Sequence, residues 1–434
     1  PRSTKNRCQL GAYDCTFGTI EKGLNPKGTM KTKIVRTPDI IALLILLCSI
    51  GYAAEPLWPL KGVIDFSSGY GDYRKSRFHA GLDLRTGGVP GAQVFAPVDG
   101  YLSRVKMSYT GYGKGLYLRG DDGCIYVFGH LQQFADSLDH LIKAEQMTAK
   151  RYYIEREFPT DSLRIKAGDL LAYSGQTGAG APRLHFEKRT ADNFPLNPIA
   201  NGFKAKDKTA PAFTRVGFAM TDEKSLLETG RRQELFPVVK KGGSEYLFEP
   251  IVHFDRPFGL LVECSDRIRK DGPTLSVYRI SVYIDDTLWY ETTFDTLDYA
   301  TGSSSNLEYV YQEVAQEKSY ARRLYRAVGN DYRWSRGFHG GDGTIGTVPS
   351  ISYGLHNVRI VATDPSGNKS TLRLSFMWVP ESGLYALDST VNVNDSNALY
   401  YFTPTVDAKP FGIDSARVFL QMCERNVQGN SRSN

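Results

Sequence analysis

The chain has 434 residues, which is enough for two or three domains with well-buried cores. Its formal charge of +6 comes almost entirely from the first 53 residues, because residues 54–434 carry 45 basic and 44 acidic side chains. A main body so close to neutrality has no excess of positive charge, and we therefore expect no binding to nucleic acid.

A basic segment followed by an apolar one near the N-terminus has the organisation of an export signal. Met30 opens a basic stretch, residues 40–47 are apolar, and small residues follow. The apolar run is shorter than a transmembrane helix needs, so we interpret residues 30–53 as a secretory signal peptide. Residues 1–29 would then be a non-native extension, and the mature protein would be periplasmic or extracellular, with no stable membrane span. Leucines precede Cys48 where a lipoprotein signal has small residues, which argues against a lipid anchor.

Short apolar runs separated by glycine turns dominate residues 54–203 and predict a compact β domain. Residues 133–160 interrupt this pattern with a charged stretch in which apolar residues recur at helical spacing. We expect a helical insertion there. It would be either a structural helix packed on the β core or a lid or wall of a substrate groove.

A charged linker at residues 204–211 leads to a second β-rich segment, residues 212–380. Its alternating strands end in turn residues, which is typical of a β-sandwich. The phrase Ala-Thr-Asp-Pro-Ser-Gly-Asn at residues 362–368 resembles a strand turn of bacterial immunoglobulin-like modules. Residues 292–347 are too long for a hairpin loop and are interpreted as an insertion. Residues 381–434 form an uncertain, possibly truncated tail.

Three residues stand out as candidate metal ligands. His79 and Asp83 are four residues apart, and His185 lies in an alternating run that predicts a strand. Gly81 makes a strand end or loop a better interpretation of the first pair than a helix. Two imidazoles and one carboxylate suit a divalent zinc ion and leave a fourth position open. Isolated His/Asp pairs more often occupy hydrogen-bonded structural positions, so spacing alone does not establish a metal site.

The chain resembles the LytM/lysostaphin family of zinc peptidases (M23) in five ordered blocks within residues 57–200. These blocks are Arg-Phe-His-Ala-Gly-Leu-Asp-Leu at 77–84, Gly-Ala-Gln-Val-Phe-Ala-Pro-Val-Asp-Gly at 91–100, Tyr-Val-Phe-Gly-His-Leu at 126–131, Lys-Ala-Gly-Asp-Leu at 166–170 with Gly-Gln-Thr-Gly at 175–178, and Pro-Arg-Leu-His-Phe-Glu at 182–187. The resemblance implies a two-sheet β core, zinc held by His79, Asp83 and His185, and a catalytic His130 beside the metal.

One residue departs from this family pattern. The last block usually has a second histidine two positions before the ligand, whereas this chain has Arg183. Side chains two apart on a strand share a face, so Arg183 should enter the same groove as His185. An arginine stays protonated and cannot act as a base, although it can stabilise an oxyanion.

Two functions therefore remain open. The resemblance implies a secreted zinc endopeptidase that cleaves peptide cross-bridges of peptidoglycan, with an activity that Arg183 would reduce. The alternative is a catalytically inactive relative that binds the cell wall or regulates another hydrolase. The C-terminal β domain is in either case a candidate surface for a protein partner.

Overall fold

The structure is a computed structural model that describes residues 55–379, apart from residues 75, 76, 179, 223, 228 and 318. All described residues lie within one compact unit that begins at Glu55. The expected N-terminal extension, the signal peptide and the tail at residues 381–434 lie outside the described residues. None of the described helices is both long enough and apolar enough to span a bilayer.

Eleven strands of the first region form one branched hydrogen-bonded sheet. Its main path runs β1-β2-β10-β6-β5-β4-β7, while β9 pairs with β6 and carries β3, and β8 and β11 pair with β4 and β10. All of these pairs are antiparallel. The strands are β1 (Phe66–Ser68), β2 (Leu82–Arg85), β3 (Gln93–Phe95), β4 (Gly100–Met107), β5 (Lys114–Gly120), β6 (Ile125–Phe134), β7 (Ile154–Glu157), β8 (Arg164–Ile165), β9 (Leu170–Ser174), β10 (Arg183–Arg189) and β11 (Pro195–Leu196).

One helix, α1 (Asp136–Ala149), follows β6 inside the predicted insertion. Two acidic residues in its first turn complement the helix dipole, and Lys150 ends the helix in the left-handed conformation. Leu138 and Ile142, four positions apart, are buried in the core of the first region. These contacts favour the interpretation of α1 as a structural helix.

The second region contains two sheets that share one apolar core. One sheet has the order β13-β12-β16-β19 and the other β14-β15-β22-β21-β17-β18-β20, in which only β15 and β22 are parallel. The strands are β12 (Ala212–Met220), β13 (Gln233–Pro237), β14 (Val239–Gly242), β15 (Glu245–Phe254), β16 (Phe258–Ser265), β17 (Arg279–Ile284), β18 (Thr287–Thr293), β19 (Arg322–Arg323), β20 (Ser335–Gly337), β21 (Gly354–Thr363) and β22 (Lys369–Trp378).

Side chains from both sheets meet in this core. Phe218 of β12 and Phe258 of β16 lie in the same buried cluster as Ile280 of β17 and Phe376 of β22. The centroids of the Phe258 and Phe376 rings are 5.2 Å apart. The prediction of a mainly β chain is therefore confirmed. The immunoglobulin-like character of this region and the domain boundaries stay predictions.

The segment between β18 and β20 packs against the first region. It contains a 3-10 helix (Tyr299–Ser304), α2 (Ser305–Glu308) and α3 (Tyr311–Glu317). Phe294, Leu297, Tyr309 and Tyr332 belong to the buried core of the first region rather than to that of the sandwich. The segment also hydrogen-bonds to the first region through its backbone, since Asn197 N donates to Asp295 O and Leu297 N to Pro195 O. The predicted insertion thus covers part of the first β region.

Candidate metal site and cleft

Strand register brings the three candidate ligands together. His185 of β10 lies directly opposite Asp83 of β2 on one side and Gly129 of β6 on the other. His79 precedes β2, and Gly81 lets the chain pass close to β10. A Cβ atom added at Gly81 would lie 2.4 Å from Phe186 O. The expectation of a strand end rather than a helix at residues 79–83 agrees with this geometry.

The donor atoms of these side chains form a tight triangle. His185 Nδ1 lies 2.9 Å from Asp83 Oδ1, and His79 Nε2 lies 3.1 Å from His185 Nδ1 and 3.3 Å from Asp83 Oδ1. All three residues are buried. A second group of metal-capable side chains in the described part of the chain, Asp207, Asp266 and Asp364, lies elsewhere.

Hydrogen bonds on the outer side of each imidazole orient the ligand nitrogens. His79 Nδ1 donates to Gly69 O at 2.7 Å, and His185 Nε2 donates to Glu187 Oε1 at 2.7 Å. A carbonyl or a carboxylate only accepts, so these outer nitrogens carry the protons. The inner nitrogens, His79 Nε2 and His185 Nδ1, are thereby left to present lone pairs towards Asp83. Such outer partners are the usual support of metal-binding histidines.

The two oxygens of the Asp83 carboxylate have different partners: Oδ1 faces the two histidines, and Oδ2 faces two guanidinium groups. Arg74 Nη2 lies 2.7 Å and Arg183 Nε 3.2 Å from Asp83 Oδ2. Burial alone would raise the pKa of Asp83. When His185 and His79 carry a proton on their inner nitrogens, their hydrogen bonds to Asp83 outweigh the burial and hold its pKa far below the ordinary range. Asp83 is therefore a permanently charged ligand.

The two imidazoles differ in their affinity for protons. Burial lowers the pKa of His79. Burial also opposes protonation of His185, but hydrogen bonds to Asp83 and Glu187 outweigh it and raise the pKa of His185. A proton on His185 Nδ1 and a cation in the triangle would occupy the same place. Cation binding and protonation of His185 therefore compete at this site.

His130 and Arg183 lie side by side next to the triangle. His130 adopts φ of 60°, an uncommon backbone conformation for a non-glycine residue, inside β6. Its Nδ1 donates to Thr177 O at 2.8 Å, and its Nε2 accepts from Arg183 Nη2 at 2.8 Å. Burial, and then the charge of Arg183, lowers the pKa of His130 to about 4. His130 is accordingly a neutral imidazole whose lone pair faces the guanidinium of Arg183.

Glu187 is a site residue to which the sequence analysis assigned no role. It is fully buried and, besides His185 Nε2, accepts from the hydroxyl groups of Tyr112 and Tyr299 and from Arg189 Nε. The ring of Tyr112 also stacks on that of His185, with centroids 5.0 Å apart. Strand periodicity was a usable signal, because positions 185 and 187 share a face of β10. No local signal pointed to Tyr112 or Tyr299.

The triangle opens into a cleft of about 620 Å³ with two walls of different origin. Arg74, Arg77, Tyr112 and Arg183 line it from the first region. Leu297, Asp298, Tyr299 and Tyr332 line it from the segment between β18 and β20. No residue of α1 is among the lining residues that the structure describes. Of the two interpretations of the insertion, the structural helix packed on the β core agrees with this geometry, whereas the wall of the cleft comes from the segment between β18 and β20.

Comparison with known proteins gives only slight likenesses. Neither a protein-family model nor a curated protein matches the chain. A zinc-containing peptidase from Vibrio cholerae is 20% identical over 33% of this chain and 39% of its own, with a TM-score of 0.25. The catalytic domain of the prophage-encoded M23 protein EnpA from Enterococcus faecalis is 22% identical over 32% of this chain and 94% of its own, with a TM-score of 0.24.

A third similar structure is the catalytic domain of lysostaphin from Staphylococcus simulans, which is 22% identical over 31% of this chain and 90% of its own, with a TM-score of 0.23. The chain thus spans well under half of the Vibrio cholerae protein. Similarities with TM-scores of this size do not indicate a function. The function is therefore inferred from the geometry of the cleft.

Proposed function

We propose that the protein is a zinc metallopeptidase that hydrolyses peptides of peptidoglycan. The observation that carries this proposal is the triangle of His79 Nε2, Asp83 Oδ1 and His185 Nδ1. Two lone pairs and one anionic oxygen converge there at the floor of a peptide-sized cleft. The choice of peptidoglycan as substrate rests on the resemblance of the sequence motifs, and the export of the protein on its expected signal peptide.

The donor set fits a zinc ion. Ligands at about 2.0–2.1 Å from a tetrahedral zinc are roughly 3.3–3.4 Å apart, close to the spacing of 2.9–3.3 Å in the triangle. The outer hydrogen bonds to Gly69 O and Glu187 support the tautomers that zinc requires. A zinc ion held by three protein ligands supplies Lewis acidity at an open fourth position.

The remaining residues of the cleft would move protons and hold charge. His130 is neutral, as a general base has to be, and its Nε2 is the atom available for a proton. Arg183 keeps its proton at all relevant pH values and would stabilise negative charge that develops on the substrate. Because Arg183 Nη2 occupies the lone pair of His130, substrate binding has to draw Arg183 away before His130 can accept a proton.

Turnover of purified peptidoglycan tests this proposal. Wild-type protein should release new amino termini, and a chelator should stop the release until zinc is restored. His130→Ala should lower the rate by about a hundredfold or more, as expected for loss of a general acid-base group. Asp286→Asn, an exposed change on the sandwich, is the matched control and should leave the rate unchanged. Equal rates for wild type and His130→Ala would reject the assigned role of His130.

The second candidate is a protein that binds cell wall without cleaving it, and the Arg183–His130 hydrogen bond favours it. In this case wild-type protein would bind peptidoglycan without turnover. Arg183→His would remove the guanidinium from His130 Nε2 and should allow cleavage. Arg183→Ala distinguishes the two roles of the arginine. If Arg183 stabilises charge in an active enzyme, the substitution should slow cleavage, because loss of one strong donor costs about 3 kcal/mol of transition-state stabilisation. If Arg183 blocks His130, the substitution should allow cleavage. Cleavage by wild type that Arg183→His abolishes would reject this second candidate.

A further inference from the structure

Three aspartates from distant parts of the chain meet at one end of the sandwich. Asp207 lies in the segment that joins the two regions, Asp266 follows β16, and Asp364 begins the turn between β21 and β22. One carboxylate oxygen from each lies within 4.8 Å of the other two. None of the three residues belongs to the cleft described above.

Asp266 is the most deeply confined member of this cluster. It is 3% exposed, and its Oδ1 atom has no hydrogen-bond partner within the described part of the chain. A void of about 20 Å³, the size that one ion or one water requires, lies beside the cluster. Asp207 and Asp266 line it together with apolar side chains and the polar residues Asn197 and Ser276, and Pro365, next to Asp364, completes the lining. A buried carboxylate oxygen without a donor carries a large desolvation cost, so a ligand in this place would be strongly favoured.

The other two carboxylates are held in position by the backbone. Thr209 N donates to Asp207 Oδ1 at 2.8 Å, and Asn368 N donates to Asp364 Oδ1 at 2.9 Å. Asn368 Nδ2 donates to Asp364 Oδ2 and to Asp207 O, at 2.6 and 3.3 Å. These bonds bind the joining segment to the turn of the sandwich and fix the separation of the two carboxylates.

No basic side chain among the described residues forms an ion pair with any of the three carboxylates. Arg267, next to Asp266, is directed away, since its Nη1 donates to Gly272 O and its Nη2 to Thr274 Oγ1. Lys206 and Lys208, which flank Asp207, are exposed. Burial, and then the charges of Asp364 and Asp207, raises the pKa of Asp266 to about 8. Burial, and then the charge of Asp364, raises the pKa of Asp207 to about 6. The cluster thus has no protein cation to balance the negative charge that its carboxyl groups carry when they are ionised.

We propose that Asp207, Asp266 and Asp364 bind one divalent cation of the calcium class. Hard cations of this class take oxygen ligands, and the three carboxylates meet that preference. The absence of histidine and cysteine from the cluster disfavours zinc. The ion would join the segment between the two regions to two loops of the sandwich. It would therefore stabilise the connection between them, independently of any catalysis in the cleft.

Calcium binding to the whole chain tests this inference. Protein freed of weakly bound metals on a chelating resin, and then supplied with one equivalent of zinc, should bind about one calcium per chain in equilibrium dialysis. The thermal midpoint should rise with calcium concentration, because the ion binds only the folded state. Asp266→Asn should weaken binding at least about tenfold, since affinity follows the charge count of the ligands. Asp286→Asn, an exposed carboxylate of the same region, should bind calcium as wild type does.

A further signature separates a ligand role from simple damage to the fold. Without calcium and at a pH above 8, where Asp266 is charged, Asp266→Asn should melt above wild type, because the substitution removes a charge that the neighbouring carboxylates repel. Asp207→Asn, at a half-buried position, provides a second variant if Asp266→Asn does not fold. Lack of saturable binding of calcium, magnesium or manganese at millimolar concentration would overturn the inference, as would wild-type affinity in both variants. His185→Ala should still bind calcium, so failure of the zinc proposal would leave this result unaffected.

Discussion

The described part of the chain holds two clusters of metal-capable side chains whose donor atoms lie within 4.8 Å of one another, and the two clusters differ in their surroundings. The His79–Asp83–His185 cluster combines nitrogen and oxygen donors, and Arg74 and Arg183 partly neutralise its one carboxylate. The cluster at Asp207, Asp266 and Asp364 has oxygen donors only and no ion pair in the described part of the chain. Donor type and neighbouring charge, rather than the distance between the donor atoms, therefore select the ion that each cluster would bind.

The clusters also differ in their access to substrate. The histidine cluster opens into the cleft of about 620 Å³, whereas the void beside the aspartates measures about 20 Å³. An open coordination position in a cleft suits catalysis, and an enclosed site suits structural binding. Four predictions test this distinction. The first three follow in order of decreasing effect, and the fourth concerns the dependence of stability on pH.

The largest expected effect is the loss of zinc from one cluster alone. His185→Ala should reduce bound zinc from about one per chain to nearly none, because two ligands cannot hold the ion against buffer. Asp266→Asn should keep its zinc. Metal analysis by mass spectrometry after gentle purification measures both variants. A wild type without zinc would contradict the zinc proposal, and zinc loss in both variants would contradict the separation of the clusters.

Glu187→Gln should weaken zinc binding without removing a ligand. The substitution leaves His185 Nε2 with a neutral acceptor and Arg189 without its buried counter-charge, so zinc affinity should fall by about 10–100-fold. Competition with a chromophoric chelator measures this affinity. Glu291→Gln is the matched control, because Glu291 accepts from Ser281 Oγ in the sandwich, far from either cluster. Unchanged affinity in Glu187→Gln would show that Glu187 does not support the histidine.

Tyr299→Phe should have a smaller effect that tests the wall of the cleft. The change removes the hydrogen bond of 2.8 Å from the Tyr299 hydroxyl to Glu187 Oε2. The free energy of unfolding should fall by about 1 kcal/mol, the usual net value of one hydrogen bond. Denaturant unfolding measures the loss, with the exposed Tyr311→Phe as control. Equal stability of both variants would mean that the segment is held by its apolar contacts alone.

The last prediction is a pH dependence of stability at His130. Its folded pKa of about 4 lies below the ordinary value of 6.5. Between these pH values the unfolded chain binds a proton that the folded chain does not, so stability should fall as the pH drops from 6.5 to 4. The difference in unfolding free energy between wild type and His130→Gln, measured at pH 7 and pH 4.5, isolates this contribution. A difference that does not change with pH would place the pKa of His130 near its ordinary value.

Much of the first cluster was predictable because its residues lie on strands. Alternation in β10 places Arg183, His185 and Glu187 on one face, and Gly81 marks the close approach of β2 to β10. The register between the strands, which depends on the whole sheet, then places His185 opposite Asp83 rather than opposite a neighbour of Asp83. The ion pair of Arg183 with Asp83 and its hydrogen bond to His130 follow from that register and had no sequence signal.

The aspartate cluster and the outer wall of the cleft were not predictable in this way. Asp266 and Asp364 each follow the last residue of a strand. The local sequence at these positions indicates a turn and gives no sign of a cluster. Tyr299 belongs to a segment that sequence composition marked only as a long insertion. Its place over the cleft results from the packing of Phe294, Leu297 and Tyr332 into the first core.

The sequence by itself determined the mainly β character, the helix after β6 and the candidate residues His79, Asp83, His130, Arg183 and His185. The β character and the helix follow from patterns with periods of two or four residues. The candidate residues follow from motifs shorter than ten residues. Only the tertiary structure decided that residues 292–347 form a wall of the cleft and that Asp207 meets Asp266 and Asp364. Contacts between residues more than fifty positions apart depend on how separately formed sheets and loops pack. The local spacing of residue types in the sequence does not indicate that packing.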